Sequence, residues 1–266
     1  MTDQGFPVEE IDTSKPHTAR MYDYYLGGWD NYEVDREAAE QVLAVYPAMI
    51  DAARANRDFM QRAVRFLVES GVRQIIDIGT GIPTSPNTHE VAHAVSKDVR
   101  VAYVDNDPIV ATHAGARLLG TGNTGFFLGD LRDPVGILGH PTIGELIDFD
   151  QPVALMLVAV LHFINDDEDP AGIVATLRDA LPAGSHLVIS HGTNDFNPGV
   201  DEVADVYTKS TALVSPRARD QITGFFDGFE LLDPGLVQIP TWRPDQPLAP
   251  EEAQRIDLYG AVGRKV

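Results

Sequence analysis

The chain contains no cysteine, which excludes disulfides, thiolate nucleophiles and thiolate-ligated metal sites at once. Basic residues are scarce: 20 Lys and Arg stand against 40 Asp and Glu, a formal net charge of −20. Such a field repels phosphate backbones and acidic membrane surfaces, so neither nucleic acid nor a membrane is expected as a partner. Long apolar runs are missing too. The longest, VALMLVAVL at 153–161, falls far short of the roughly 20 residues that cross a bilayer. The N-terminal MTDQGFPVEEIDTSKP has no apolar segment of the signal-peptide kind, and together these absences predict a cytoplasmic protein. There is no internal repeat, no G-x-S-x-G elbow and no G-x-x-x-x-G-K-[ST] loop, which argues against a serine hydrolase of the α/β type and a P-loop nucleotidase.

What is present fits one large domain, or a domain with an attached cap: 266 residues, 44% of them hydrophobic, suffice for a sizeable core. The polar stretch up to Pro16 reads as a loosely held arm. Between Asp35 and Val68, apolar residues spaced by three or four predict two helices, with Gly71 as a C-terminal cap. From Val72 the rhythm changes to short β-type runs, RQIIDI, RVAYVD, GFFLGD, PVALMLV and SHLVIS, separated by amphipathic stretches. Strands alternating with helices predict a parallel α/β sheet covered on both faces. Asp107-Pro108, Asp133-Pro134 and Asp169-Pro170 each offer a capping side chain followed by proline at the first helical position. Further helices are expected around 201–213 and 217–222, and the runs at 235–240 and 257–264 are expected to pair as an antiparallel hairpin at the sheet edge.

In such a sheet the chemistry belongs in the loops after the strands. The first of these lies in IIDIGTGIPTSP, residues 75–86, where Asp77, Gly79, Thr80 and Gly81 form a turn that lets backbone approach a ligand. Asp105 ends the second strand, about where an acid would accept ribose hydroxyls, Asp130 ends the third, and His162 follows the fourth. A nicotinamide dinucleotide would call for a third glycine, yet Thr84 stands there. Its absence favours a nucleoside bearing a small charged tail over a pyrophosphate.

The series IDIGTG, VDNDP and GDLRDP, with the strand before LHF, resembles motifs of Rossmann-like S-adenosylmethionine-dependent methyltransferases. The blocks ARMYDYYLGGWDNYEVDREAAE, ARANRDFMQRAVRFL and YGAVGRK are similar to the actinobacterial S-adenosyl methyltransferase family once catalogued as a domain of unknown function. That family carries lysine and phenylalanine where this chain has Trp29 and Tyr32. The resemblance implies a seven-stranded Rossmann-like methyltransferase sheet, mostly parallel with an antiparallel C-terminal hairpin. Residues 1–70 would be an N-terminal arm and helical cap, and 71–266 the domain that binds S-adenosylmethionine.

It implies roles as well. Gly79 and Gly81 would lie against the methionine part, Asp105 would take the ribose hydroxyls, and Asp130 and Leu131 would meet the adenine, flanked by Asn106. Arg20, Tyr22, Tyr25 and Asn31 would belong to a cap closing over the cofactor, with Gly27-Gly28 as its bend. Methyl transfer to a small-molecule acceptor is the implied reaction. The alternatives are a nucleoside-binding protein without turnover and, less favoured, an NAD(P)-dependent oxidoreductase.

Other residues carry plainer readings. His162 either meets the ligand or is a hydrogen-bonded residue at the core edge. His191 and Asn194 fit ordinary turn chemistry. Tyr22, Tyr24, Tyr25, Trp29 and Tyr32 either stack on the ligand or pack the cap. His89 and His93 have the i, i+4 spacing of a metal pair but lack the H-E-x-x-H order, so a solvated helix face and no metal are expected.

Overall fold

The computed structural model describes residues 12–118, 122–197, 200–210, 213–248 and 253–266; most of the arm expected before Pro16 lies outside them. Among the described residues, eight strands form one sheet: β1 (Gln74–Ile78), β2 (Arg100–Asp105), β3 (Thr124–Leu128), β4 (Ala154–Val158), β5 (His186–Gly192), β6 (Phe229–Leu231), β7 (Val237–Gln238) and β8 (Leu258–Lys265). Their order is β3-β2-β1-β4-β5-β8-β6, with the two-residue β7 also on β8. The first five are parallel, and β8 runs antiparallel to β5, β6 and β7. The order reverses between β1 and β4, which opens a crevice at their carboxyl ends.

Alternation along the strands feeds two cores. Ile75, Val101, Tyr103, Met156, Val188 and Val262 share one cluster with α2 (Glu33–Val45), α3 (Met49–Glu69) and the chain around α1 (Thr18–Tyr25). Ile76, Ala102, Leu155, Leu187, Ile189 and Ala261 point to the other, where α6 (Pro134–Leu138), α7 (Pro141–Leu146), α8 (Pro170–Ala180) and α10 (Arg219–Gly224) contribute. The first face also carries α4 (Thr88–Val95), α5 (Pro108–Arg117) and α9 (Val200–Ser210). The period-2 pattern of β1, β2, β4, β5 and β8 is thus buried on both sides, as a sheet covered on both faces requires.

Local chemistry sets the helix ends. Asp107, Asp133 and Asp169 each cap a helix with proline in its first turn, accepting from the amides of Ile109, Gly136 and Gly172. After α3, Gly71 takes φ +101°; its amide donates to Val68 O, and that of Val72 to Leu67 O. This pair of bonds satisfies carbonyls that the last helical turn leaves open.

Two expectations are corrected. The 235–240 run does pair antiparallel with β8 at the sheet edge, but over Val237–Gln238 alone, because Ile239–Thr241 turn into a 3-10 helix. β6 joins β7 on that side of β8, so β8 sits inside the sheet, with β5 on its other side, rather than at the edge. His89 and His93 are buried rather than solvated. His89 takes the Tyr103 hydroxyl at both its amide and Nδ1, at 2.7 and 2.8 Å, and His93 Nε2 lies 2.8 Å from Val99 O. Hydrogen bonds to the neighbouring strand and loop repay their desolvation. Among the described residues no group of three His, Cys, Asp or Glu could hold a metal ion, and no helix is long and apolar enough to cross a membrane.

Candidate functional site

A cavity of about 310 Å³ lies along the carboxyl ends of β1 to β5, roofed by α1, α3 and α9. Asp77, Gly79, Thr80, Gly81, Asp105, Asn106, Asp130, Leu131, Tyr22 and His162, ten of the residues the sequence singles out, line it. The glycine turn is fastened to β2: Gly79 N donates to Val104 O at 2.8 Å, and Gly81 N to Asp105 Oδ2 at 2.7 Å. Both glycines hold positive φ, +76° and +67°, a region closed to most side chains. Asp105 Oδ1 accepts a further backbone bond from Asp107 N at 3.0 Å. Burial pushes Asp105 up from the usual carboxylate range, and the two amides oppose it. Each oxygen still has a lone pair for another donor.

Asp77 sits one strand over. Its Oδ2 accepts from Thr88 Oγ1 at 2.6 Å, and burial pushes it up to about 6 against that bond and the nearby Arg57. Arg57 also donates to the carbonyls of Thr84 and Pro86, at 2.7 Å each, which pins the end of the glycine loop to α3. At the far strand, Asp130 is half-exposed and shares its carboxylate between Arg132, at 3.2 Å, and Asn106 Nδ2, at 3.5 Å. Opposite lies the loop after β4, where Ala159 adopts φ 55°; its amide donates to Ser190 Oγ at 2.9 Å. A strained non-glycine residue at a site wall is held there only by such surroundings.

A buried relay joins roof and floor. Ser190 Oγ donates to Asn56 Oδ1 at 2.5 Å, Asn56 Nδ2 donates to Tyr22 OH at 2.9 Å, and Tyr22 OH donates to Ala53 O at 3.0 Å. The N-cap residue of α1, His17, places Nδ1 2.8 Å from Asp107 Oδ2. Burial opposes ionisation of Asp107, but His17 and the Ile109 amide hold it below the usual carboxylate range.

Tyr25 and Asn31 do not reach the cavity. Tyr25 lies almost a full turn beyond Tyr22 on α1, about 4.5 Å further along the axis, and its hydroxyl meets Tyr207 OH at 3.3 Å. Asn31 closes the following turn instead, donating to Asp23 Oδ2 and Gly28 O at 2.8 and 3.0 Å. Arg20 is buried against Asp35 at 3.0 Å. Of the five aromatic residues considered for stacking, Tyr22 alone lines the cavity, and Trp29 is 93% exposed.

His162 lies on the 3-10 turn Leu161–Phe163. Burial, then Arg217, pushes it down to about 4, so the ring is neutral. With Nδ1 accepting from Gly192 N at 3.4 Å, the proton sits on Nε2. His191 is wholly buried outside the cavity lining. Arg217 Nη1 lies 3.0 Å from its Nε2 and can only donate, so Nδ1–H donates to Gly192 O at 2.7 Å.

Sequence reasoning passed over His17, Asn56, Arg57 and Asp257, all in the lining. They stand at the N-cap of α1, on α3 and before β8, and no strand-end rule marks them.

A family model described as S-adenosyl methyltransferase matches residues 4–266. A DUF574-family protein from Streptomyces avermitilis MA-4680 shares 43% identity at a TM-score of 0.92, over 96% of this chain and 99% of its own. A methyltransferase candidate from Thermobifida fusca YX shares 40% at the same TM-score, over 98% and 99%. A SAM-dependent methyltransferase from Anabaena variabilis ATCC 29413, 16% identical over 95% and 97% at a TM-score of 0.51, shares the fold. No curated protein matches.

Proposed function

From the premise that this chain belongs to the S-adenosyl methyltransferase family, and is thus an S-adenosylmethionine-dependent methyltransferase, we propose that the cavity binds S-adenosylmethionine across β1 to β3 and a small-molecule acceptor beyond. The observation that carries this is Asp105: a buried carboxylate at the end of β2, tied by 2.7 Å to the Gly81 amide. The donor set fits the cofactor. Asp105 has lone pairs for two ribose hydroxyls, Asp77 is an acid for the ammonium of the methionine tail, and Asn106, Asp130 and Leu131 offer polar edges and an apolar face to the base. Tyr22 and His162 close the walls. We take 1–70 as the arm and cap, whose α1 and α3 roof the cavity together with α9 of the 71–266 binding domain.

When bound, S-adenosylmethionine supplies a methyl group already activated by its sulfonium. The protein's own task is then orientation and water exclusion. The roof of α1, α3 and α9 over mainly apolar walls serves both. The oxidoreductase reading loses support from Thr84 where a dinucleotide turn needs glycine.

Isothermal calorimetry of S-adenosylmethionine and S-adenosylhomocysteine tests the assignment. Wild type should bind both, and Asp105→Ala should lose at least about tenfold, since it removes the hydroxyl acceptor and frees the Gly81 amide together. Undiminished binding by a folded Asp105→Ala would remove the assignment.

A further inference from the structure

The cavity is longer than the cofactor-binding motifs account for. Asp105 ends β2, whereas Asp257 immediately precedes β8, and the sheet order places β1, β4 and β5 between them. Four strand spacings of about 4.8 Å separate the two acids by about 19 Å. Around Asp257 the lining is apolar and aromatic: Tyr46 and Met49 from the α2–α3 region, Val203 and Tyr207 from α9, and Leu258.

Asp257 is 6% exposed, and its Oδ1 has no hydrogen-bond partner among the described residues. Its backbone is held independently of the carboxylate: its carbonyl accepts from Thr193 N at 3.0 Å, and its amide lies 3.4 Å from Tyr46 OH, which itself donates to Arg255 O. Burial pushes the carboxyl up from its usual range, with Tyr46 and Asn197 opposing. A buried acceptor atom left open is costly unless something supplies a donor. Tyr46 and Asn197 serve the carboxyl from the protein side, and the donor that Oδ1 still lacks comes from a ligand.

We propose that Asp257 is the recognition group of an acceptor subsite at the β5–β8 end of the cavity, which takes a compact, largely apolar molecule presenting one hydroxyl or amine N–H to the carboxylate. This rests on the reading of the β1–β3 end as the cofactor site. Molecules that present only acceptors, such as ethers, or a carboxylate of their own, leave Oδ1 unpaired or repelled and are rejected.

The test uses the full chain saturated with S-adenosylhomocysteine and four probes of one shape: 4-ethylphenol, 4-ethylaniline, 4-ethylanisole and 4-ethylbenzoate. Binding is read by saturation-transfer NMR and calorimetry. Wild type should bind the phenol and aniline at least about tenfold tighter than the anisole, with no binding of the benzoate. Asp257→Leu should erase that preference while keeping the S-adenosylhomocysteine affinity within about twofold. Should Asp257→Leu fail to fold, the isosteric Asp257→Asn decides: its amide offers ethers a donor, so the phenol-over-anisole ratio should narrow at least about fivefold.

A preference that survives either folded variant overturns the proposal, as does failure of all four probes to bind wild type. Loss of S-adenosylhomocysteine binding in a folded Asp257 variant overturns it too, by placing the residue in the cofactor half. The underlying reading fails separately, if wild type binds no S-adenosylhomocysteine; the probe preference is then measured on the unloaded chain and still decides for or against Asp257.

Discussion

Alanine at position 79 would place a Cβ 2.5 Å from Val160 Cγ2 and 2.8 Å from Val160 Cβ, on a backbone at φ +76°. Two costs combine. A side chain in the left-handed region costs about 1–2 kcal/mol, and forcing one more carbon into a packed contact costs about 1–3 kcal/mol. Gly79→Ala should therefore destabilise by about 2–5 kcal/mol. Gly81 supplies the control, since it has φ +67° with nothing within 4 Å of its added Cβ. Gly81→Ala should cost only the first term, about 1–2 kcal/mol. Urea unfolding of both variants, at unchanged m-value, reads the difference. The clash has a named partner, so it can be relieved. Val160→Ala removes Cγ2 but keeps Cβ at 2.8 Å, so it should cost about 1–2 kcal/mol in wild type and less in Gly79→Ala. That double-mutant cycle should give a coupling of about 1 kcal/mol or more. Equal losses for the two glycines, or a cycle that closes to zero, would refute the claim that loop and Val160 define one another's position.

Three further outcomes follow from the same geometry. Asp77, raised from 3.8 to about 6, holds its proton more tightly folded than unfolded, so its contribution is full below pH 3.8 and is lost as pH rises through 6. The stability of Asp77→Asn relative to wild type should then improve by up to about 3 kcal/mol between pH 4 and pH 7, read by chemical denaturation at each pH; a flat difference would contradict it. Asn56→Leu leaves Ser190 and Tyr22 without their partner inside the roof–floor relay and should cost about 2–4 kcal/mol in thermal unfolding, whereas a loss under 1 kcal/mol would mean the relay contributes little. Arg57→Met removes the cation that opposes the burial of Asp77 and both bonds to 84–86; the Asp77 carboxyl should titrate higher by NMR, and S-adenosylhomocysteine should bind more weakly.

Strand ends and helix starts were legible in the sequence because their signals are local. Three Asp-Pro pairs cap three helices, and the glycine turn, Asp105 and Asp130 all fall at carboxyl ends of strands. Elements without a local signal escaped. β6 is three residues with only partial burial, too short for a periodic pattern and paired only because β8 lies beside it. The short helix with His89 and His93 has Ala and Val around much of its circumference, so which face turns inward depends on Tyr103, a residue of β2. Within the cap, the sequence grouped Tyr22 with Tyr25 and Asn31, yet the helical rise carries Tyr25 past the cavity and the turn keeps Asn31 for itself. Asn56 and Asp257 join the site across separations of 134 residues to Ser190 and 211 to Tyr46, which no window can span.

The position of β8 inside the sheet also sets the order in which the molecule can be completed. Synthesis delivers β5 long before the strand that covers its outer edge. Until residues 258–265 arrive, His186–Gly192 present a row of open backbone groups to any other strand, the arrangement that invites intermolecular pairing. The same delay applies to α3, whose contacts with β8 and with Ile239–Thr241 close loops of nearly 200 residues, a slow step for any chain. The nascent protein is therefore most prone to aggregate until β8 has been made, and a break within β8 turns that brief exposure into a permanent one.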